Sequence, residues 1–295
     1  MTSASIPTAE TRSLASDLVA LTKPRIISLL LVTTVAPMFV AGTPSWLTVL
    51  IVSIGGYLMA GGANAVNMYL DRDIDDRMAR TRLRPIPSGR MHPREVLAFG
   101  VALATAATFL LGHAANVLTA ALALAGFYFY VFVYTRWLKR STPQNIVIGG
   151  AAGAVPPLVG WAAATGNLTL PALWLFLIVF FWTPPHFWAL ALLIRRDYEA
   201  ARVPMLPVVK GEAQTARSIV TYSLVLLGIS LLPFLSNTLG VFYLVSAVAL
   251  GVAFVALALA LRRHTTPANA RRLFSFSLAY LALLFVAMAL DPILF

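Results

Sequence analysis

What most constrains this chain is a repeated absence. Nine apolar stretches, roughly Ile26–Gly42, Trp46–Tyr69, Val96–Gly112, Val117–Thr135, Ile146–Ala164, Leu170–Ile194, Ser218–Leu235, Val241–Leu261 and Leu273–Leu290, contain no Asp, Glu, Lys or Arg. Each is long enough to cross a hydrocarbon layer as a helix. Lipid offers no partner to backbone N–H and C=O groups, so the expected fold is all-α, a polytopic bundle of nine transmembrane helices. With 59% hydrophobic and 11% charged residues, a soluble domain is excluded. The chain has no cysteine, which removes thiolate metal sites and disulfides.

The placement of charge orients the bundle. All 22 Lys and Arg fall before the first span or in the connections after the second, fourth, sixth and eighth. The positive-inside rule then predicts a cytoplasmic N-terminus and an external C-terminus, and a leader that resembles neither a secretory signal nor a transit peptide points to a bacterial inner membrane. Ten of the 11 acidic residues lie on the same side, Asp291 being the exception. The net charge of +11 therefore reflects topology, and no nucleic-acid partner is expected. Met1–Leu21, Ser/Thr/Ala-rich and without an apolar core, is expected to be a flexible cytoplasmic leader, followed by one intramembrane domain over 22–295.

Two cytoplasmic connections, Asp71–Glu95 and Arg195–Arg217, are long, and long loops in a tight bundle are usually functional. The first opens with Asn64-Ala-Val-Asn67-Met-Tyr-Leu-Asp71-Arg-Asp73-Ile-Asp75-Asp76. Asn67, Asp71 and Asp75 are spaced i, i+4, i+8 and so share one helical face, with Asn64 near it. Amide and carboxylate oxygens one turn apart suit Mg²⁺, which takes one or two carboxylates and completes its shell with phosphate oxygens. The bland alternative is a charged helix end pairing with Arg72 and Arg77. Amides at the end of an apolar span weigh against it. The following RPIPSGR run carries Arg84 and Arg90 on turns fixed by Pro and Gly, an arm suited to an anion; setting topology is its other reading.

The second connection carries Asp197, Tyr198 and Lys210. Asp197 emerges on the same face as Asp71, so two carboxylate sites can share one diphosphate, with Lys210 neutralising the leaving group; an interfacial Arg/Asp cluster is the competing reading. His186, behind Pro184-Pro185 and beside Phe187 and Trp188, is either a satisfied structural residue or a contact for a flat macrocycle. The pairs Pro156-Pro157 and Pro184-Pro185 are expected to bend their helices.

The Asn67-x3-Asp71-x3-Asp75 run with its arginine-rich loop resembles the first aspartate motif of UbiA-type intramembrane prenyltransferases. Thr22-Lys23-Pro-Arg25-Ile26, RPIPSGR at 84–90, PPHFWAL at 184–190 and DYEAARVPMLPVVKG at 197–211 narrow the resemblance to the members that farnesylate heme. It spans about Thr22 to Phe295. It implies a UbiA-type bundle with a cytoplasm-facing cavity, Mg²⁺ as cofactor, farnesyl diphosphate and heme b as substrates, and heme O as product. A downstream heme A synthase or terminal-oxidase assembly would then be a partner beside the lipid bilayer. The resemblance carries Asn67, Asp71, Asp75 and Asp197 over as metal ligands, Asp71, Asp75, Asp197 and Lys210 as catalytic residues. Asn64, Asn67, Arg84, Arg90, Lys23, Arg25, His186 and Tyr198 become substrate contacts. The second motif departs from the superfamily pattern: position 201 is Ala201, which leaves the number of ions open. A quinone-ring precursor as acceptor, and a secondary transporter, are the alternatives; transport fits poorly because every carboxylate is interfacial.

Overall fold

The computed structural model describes residues 13–294, which form helices and turns with no strand among them. The helices are α1 (Leu14–Thr22), α2 (Pro24–Ala41), α3 (Trp46–Leu70), α4 (Arg72–Arg77), α5 (Pro93–Ala114) and α6 (Val117–Tyr128). The last continues as a π-helix (Phe129–Leu138) and α7 (Lys139–Ser141). Then follow α8 (Asn145–Thr165), α9 (Leu170–Leu193), α10 (Arg195–Ala200), α11 (Leu206–Val209), α12 (Gly211–Ser230), α13 (Leu232–Leu235), α14 (Val241–Arg263) and α15 (Pro267–Leu294). Among the described residues nine helical stretches are long and apolar enough to cross a membrane, matching the nine expected windows.

Local chemistry sets the helix starts. Ser45 and Asn116 each accept the backbone N–H three residues on, at Thr48 and Thr119, and His92 with Glu95 closes a capping box. Proline occupies the first turn of α2, α5 and α9, where its missing N–H costs nothing. Pro156-Pro157 and Pro184-Pro185 both lie inside continuous helices. At the end opposite the basic loops, Asp291 explains its own isolation in the sequence. It is buried, and its carboxylate accepts the N–H groups of Gly240 and Tyr243, capping α14 from α15.

Each spanning helix packs on its sequence neighbour, α2 on α3, α3 on α5, and so on to α14 on α15, and α15 returns to α2 to close a ring. Contacts of α2 with α8 and of α9 with α15 pinch that ring into two lobes. The apolar core divides accordingly. One large cluster includes Met38, Val52, Leu111, Val131 and Val159, another includes Ile178, Leu226, Phe254, Tyr280 and Phe285, and a small third one, Leu21, Ala65, Met68, Met91 and Val96, seats α1 on α3 and α5. The α2–α8 seam is the tightest: a Cβ on Gly160 would stand 1.7 Å from the Thr34 carbonyl oxygen. Backbones at that distance tolerate no side chain at all.

The expected flexible leader meets two outcomes. Residues 1–12 lie outside the described residues, whereas Leu14–Thr22 is a helix, capped by Ser13 and packed against α3. Leu21 is fully buried, the Thr22 hydroxyl lies 2.9 Å from the Tyr57 hydroxyl, and buried Asp17 receives Arg90 Nε and Nη2 at 3.0 Å. The fourth span also runs further than its apolar window, past Thr135 through Arg136, Lys139 and Arg140 to Ser141.

Gly160→Ala is expected to open the α2–α8 seam, lowering the thermal midpoint of the detergent-solubilised protein or abolishing monodisperse yield. Gly153→Ala, on the same helix with nothing within 4 Å of the new Cβ, is the control and leaves both unchanged.

Candidate active site

The first carboxylate motif folds as its spacing predicts, with one refinement. α3 ends at Leu70 and α4 begins at Arg72, with Asp71 at φ −91° and ψ 8° between them. The ladder nonetheless continues: Asp71 N–H bonds to Asn67 O at 2.8 Å, and Asp75 N–H to Asp71 O at 2.8 Å. Asn67, Asp71 and Asp75 therefore stay on one face and are all buried, Asp71 at 0% and Asp75 at 2% exposure. Asp73 and Asp76, off that face, are exposed.

A carboxylate so enclosed demands counter-charge. Lys139 Nζ, reaching back from the end of the fourth span, donates to Asp71 Oδ2. Asn67 Nδ2 donates to the same oxygen at 2.8 Å and to Thr135 Oγ1 at 3.1 Å. Both amide hydrogens are thus spent, and Asn67 Oδ1 turns to Lys23 Nζ at 3.4 Å; that ammonium also meets Asn64 Oδ1 at 3.3 Å. Arg84 Nη1 holds both oxygens of Asp75, at 2.7 and 2.8 Å. Arg140 clamps the exposed Asp73 at 2.7 Å with both terminal nitrogens and caps the Leu70 carbonyl at 2.8 Å.

The electrostatics follow. Burial, then the nearby Arg84 guanidinium, pushes the Lys23 ammonium down to about 7, against the partial support of Asp75 and Asp71. The hydrogen bonds from Arg140 pull Asp73 down to about 2. Lys23 itself takes a left-handed conformation at φ 56°, ending α1 and starting α2 in one residue, which turns its side chain to the site. A cavity of about 240 Å³ opens beside it, lined by Lys23, Arg80, Arg84 and Arg90 with Leu83 and Pro85.

The expected site residues divide. Asn64, Asn67, Asp71, Asp75, Lys23 and Arg84 come together in one network. Arg90 lines the cavity, but its guanidinium is engaged by Asp17 and by the Leu83 carbonyl at 3.1 Å, so it braces the loop. Tyr198 is buried, and burial raises its phenol, with Arg80, Asp71 and Arg84 all within electrostatic reach. Asp197 beside it is half-buried, while Lys210 and Arg25 are exposed; no side-chain bond joins any of the three to the Asp71 cluster among the described residues. Sequence reasoning passed over Lys139, Arg140, Thr135 and Asp17. The only signal for the first two was that a buried carboxylate needs a cation, and those were the basic residues nearest the next span.

His186 is packed as a core residue. Its ring stacks on Trp182 at 4.3 Å and on Phe274 at 4.8 Å, so both faces are covered. Ser277 Oγ donates to Phe274 O at 2.6 Å, and so accepts from His186 Nδ1 at 2.6 Å. Nearby, the Arg72 guanidinium lies 4.7 Å from the Tyr69 ring centre, and Trp188 packs edge-on against Tyr222.

The donor set fits a hard divalent cation. Among the described residues Asp71 Oδ1 is buried without a hydrogen-bond partner, 3.5 Å from Arg140 Nη2, and the Asn64 and Asn67 carbonyl oxygens meet only Lys23. No three His, Asp or Glu side chains converge among the described residues, so an ion here would draw its remaining ligands from a bound anion and water.

A family model described as the UbiA prenyltransferase family matches residues 29–286. A curated protoheme IX farnesyltransferase of Roseiflexus castenholzii is 56% identical over 96% of this chain and 53% of its own length. That of Symbiobacterium thermophilum is 54% identical over 93% of both chains. The chain spans about half the length of the first curated relatives it matches. Among solved structures, a digeranylgeranylglyceryl phosphate synthase superposes with a TM-score of 0.74 at 17% identity, covering 95% of this chain and 99% of that one. A UbiA homologue from Archaeoglobus fulgidus bound to GPP and Mg²⁺ gives 0.67 at 15% identity, covering 92% and 99%. A nine-span ring with this buried Asn–Asp–Asp face, and relatives matched over nearly its whole length, place the chain in the UbiA prenyltransferase family.

Proposed function

We propose that the chain transfers a farnesyl group from farnesyl diphosphate to a vinyl group of heme b, giving heme O. The observation that carries the reading is the Asp71 carboxylate, sealed at the end of an apolar ring with one unpartnered oxygen and three basic residues around it. The relatives named as protoheme IX farnesyltransferases support the choice of acceptor, and the GPP- and Mg²⁺-bound homologue supports an allylic diphosphate and a metal.

Asn67, Asp71 and Asp75 would hold Mg²⁺, its remaining ligands coming from the diphosphate and water; Asp197, first read as a further ligand, does not converge with them among the described residues. The ion would neutralise diphosphate charge and ease departure of the bridging oxygen. Lys23, Lys139 and Arg84 are the cations that meet the diphosphate. Each now bonds to an oxygen of the cluster, and exchanging that partner for a phosphate oxygen keeps the local charge balanced. The allylic C–O bond breaks with its electron pair leaving on pyrophosphate. The heme vinyl π-bond then forms the new C–C bond to the allylic carbon. Water adds to the resulting cation and loses a proton, which completes the hydroxyethylfarnesyl group. No side-chain nucleophile takes part. The exposed Lys210 has no place in this scheme; the half-buried Lys139 takes the leaving-group role first read for it.

The basic loops would face the cytoplasm of a bacterial cell, with the Asp291 end outside. Since the chain lacks cysteine, single cysteines report on this directly. In intact cells an impermeant maleimide should label Asn237→Cys and leave Ala268→Cys unlabelled until the cells are opened; the reverse pattern would overturn the orientation.

Purified protein given heme b, farnesyl diphosphate and Mg²⁺ should yield a heme heavier by the hydroxyethylfarnesyl increment in mass spectra, and a chelator should stop it. Asp71→Ala should lower the rate by at least about 10³-fold while the protein still inserts in the membrane, with a reduced thermal midpoint because Lys139 loses its partner. Product from a quinone-ring precursor and none from heme would move the acceptor assignment. Near-normal turnover by Asp71→Ala would refute the site.

A further inference from the structure

The fourth span is the one membrane segment in which a π-helix interrupts the α-helix among the described residues, over the ten residues Phe129–Leu138. Its buried positions explain why. Thr119, Ala123, Phe127, Val131 and Thr135 are buried at a spacing of four, and Lys139 continues the series to Asp71. Four residues overshoot one α-helical turn by about 40°, so five such steps in a pure α-helix would carry Lys139 about 200° round from Thr119. A π-helix has wider turns, and its steps of four fall short of a full turn, which cancels the drift. The bulge thereby delivers Thr135 and Lys139 together to the Asn67–Asp71 face. It also explains the tight fit behind the segment, where a Cβ on Gly149 would stand 2.3 Å from the Tyr134 ring.

Of the two delivered side chains, Lys139 carries charge, whereas Thr135 only accepts. Thr135 is fully buried, and its Oγ1 takes the Asn67 Nδ2 proton that Asp71 does not. The Asp71 carboxylate can only accept, so it decides which way the amide points, and Thr135 Oγ1 anchors the second amide hydrogen and limits rotation of the side chain. We propose that Thr135, brought into register by the π-helix, is a positioning residue that holds the Asn67 amide oxygen towards the ligand side of the carboxylate site. This rests on the reading of Asn67 as part of an Mg²⁺–diphosphate site. Without the Thr135 acceptor, Asn67 rotates more freely, and its oxygen is presented only part of the time.

The test is a double-mutant cycle on the full chain, read by the Mg²⁺ concentration that half-maximally raises the thermal midpoint in the presence of inorganic pyrophosphate, and in parallel by turnover. Thr135→Val, which keeps the shape and removes the acceptor, should raise that concentration about tenfold, the worth of one hydrogen bond to a ligand residue, with kcat at saturating Mg²⁺ falling less than threefold. Thr135→Ser should restore it to within about twofold. In an Asn67→Ala background, Thr135→Val should add less than a twofold change, because the hydroxyl acts through the amide. An unchanged half-saturation in Thr135→Val, an equal loss in Thr135→Ser, or full additivity with Asn67→Ala would overturn the assignment. If Asn67→Ala itself leaves Mg²⁺ binding untouched, the failure belongs to the metal-site reading.

Discussion

The need to compensate one fully buried carboxylate organises the working end of this molecule. Asp71 sits where the hydrocarbon-facing part of α3 gives way to the loop, without water to screen it. Removing one partner of such a pair costs about 3–5 kcal/mol, far more than a surface ion pair is worth. Three separate parts of the chain are therefore drawn to one point: the α1–α2 junction through Lys23, the Arg84 turn through Asp75, and the last turn of the fourth span through Lys139. The ring of helices brings those ends together, and the π-helix adjusts the one that would otherwise face away.

Much of this was legible because it rests on patterns with a single physical solution. Uncharged windows of membrane length can only be buried helices, and all nine are found. The spacing of Asn67, Asp71 and Asp75 kept its meaning because the hydrogen-bond ladder survives the bend at Asp71. The end of the fourth span was misjudged for an instructive reason. Arg136, Lys139 and Arg140 read as loop by charge, yet helical backbone continues beneath them, and the partners of Lys139 and Arg140 lie on the helix side of the boundary, at Asp71, Asp73 and the Leu70 carbonyl.

Arginines in turns were harder. Arg84 and Arg90 share the same short RPIPSGR run, and nothing local distinguishes them. One meets Asp75 in the site, while the other is taken by Asp17, 73 residues away in sequence. Pairings of that separation leave no trace in spacing or composition. His186 and Asp291 make the same point from the apolar side. A lone polar residue in a hydrophobic span signals that a partner exists, but not whether it is a ligand or, as here, Ser277 and two backbone amides.

The Asp17–Arg90 bridge ties the first described helix to the hinge of the Arg84 turn, since Arg90 also grips the carbonyl of Leu83. Amino-terminal trimming is thus not neutral for this chain. A shortened version that begins beyond Asp17 would keep every spanning helix and every cluster residue, yet release the strut that aims Arg84. Such a product would insert normally and still hold Arg84 loosely against Asp75, a change arising from residues outside the carboxylate cluster.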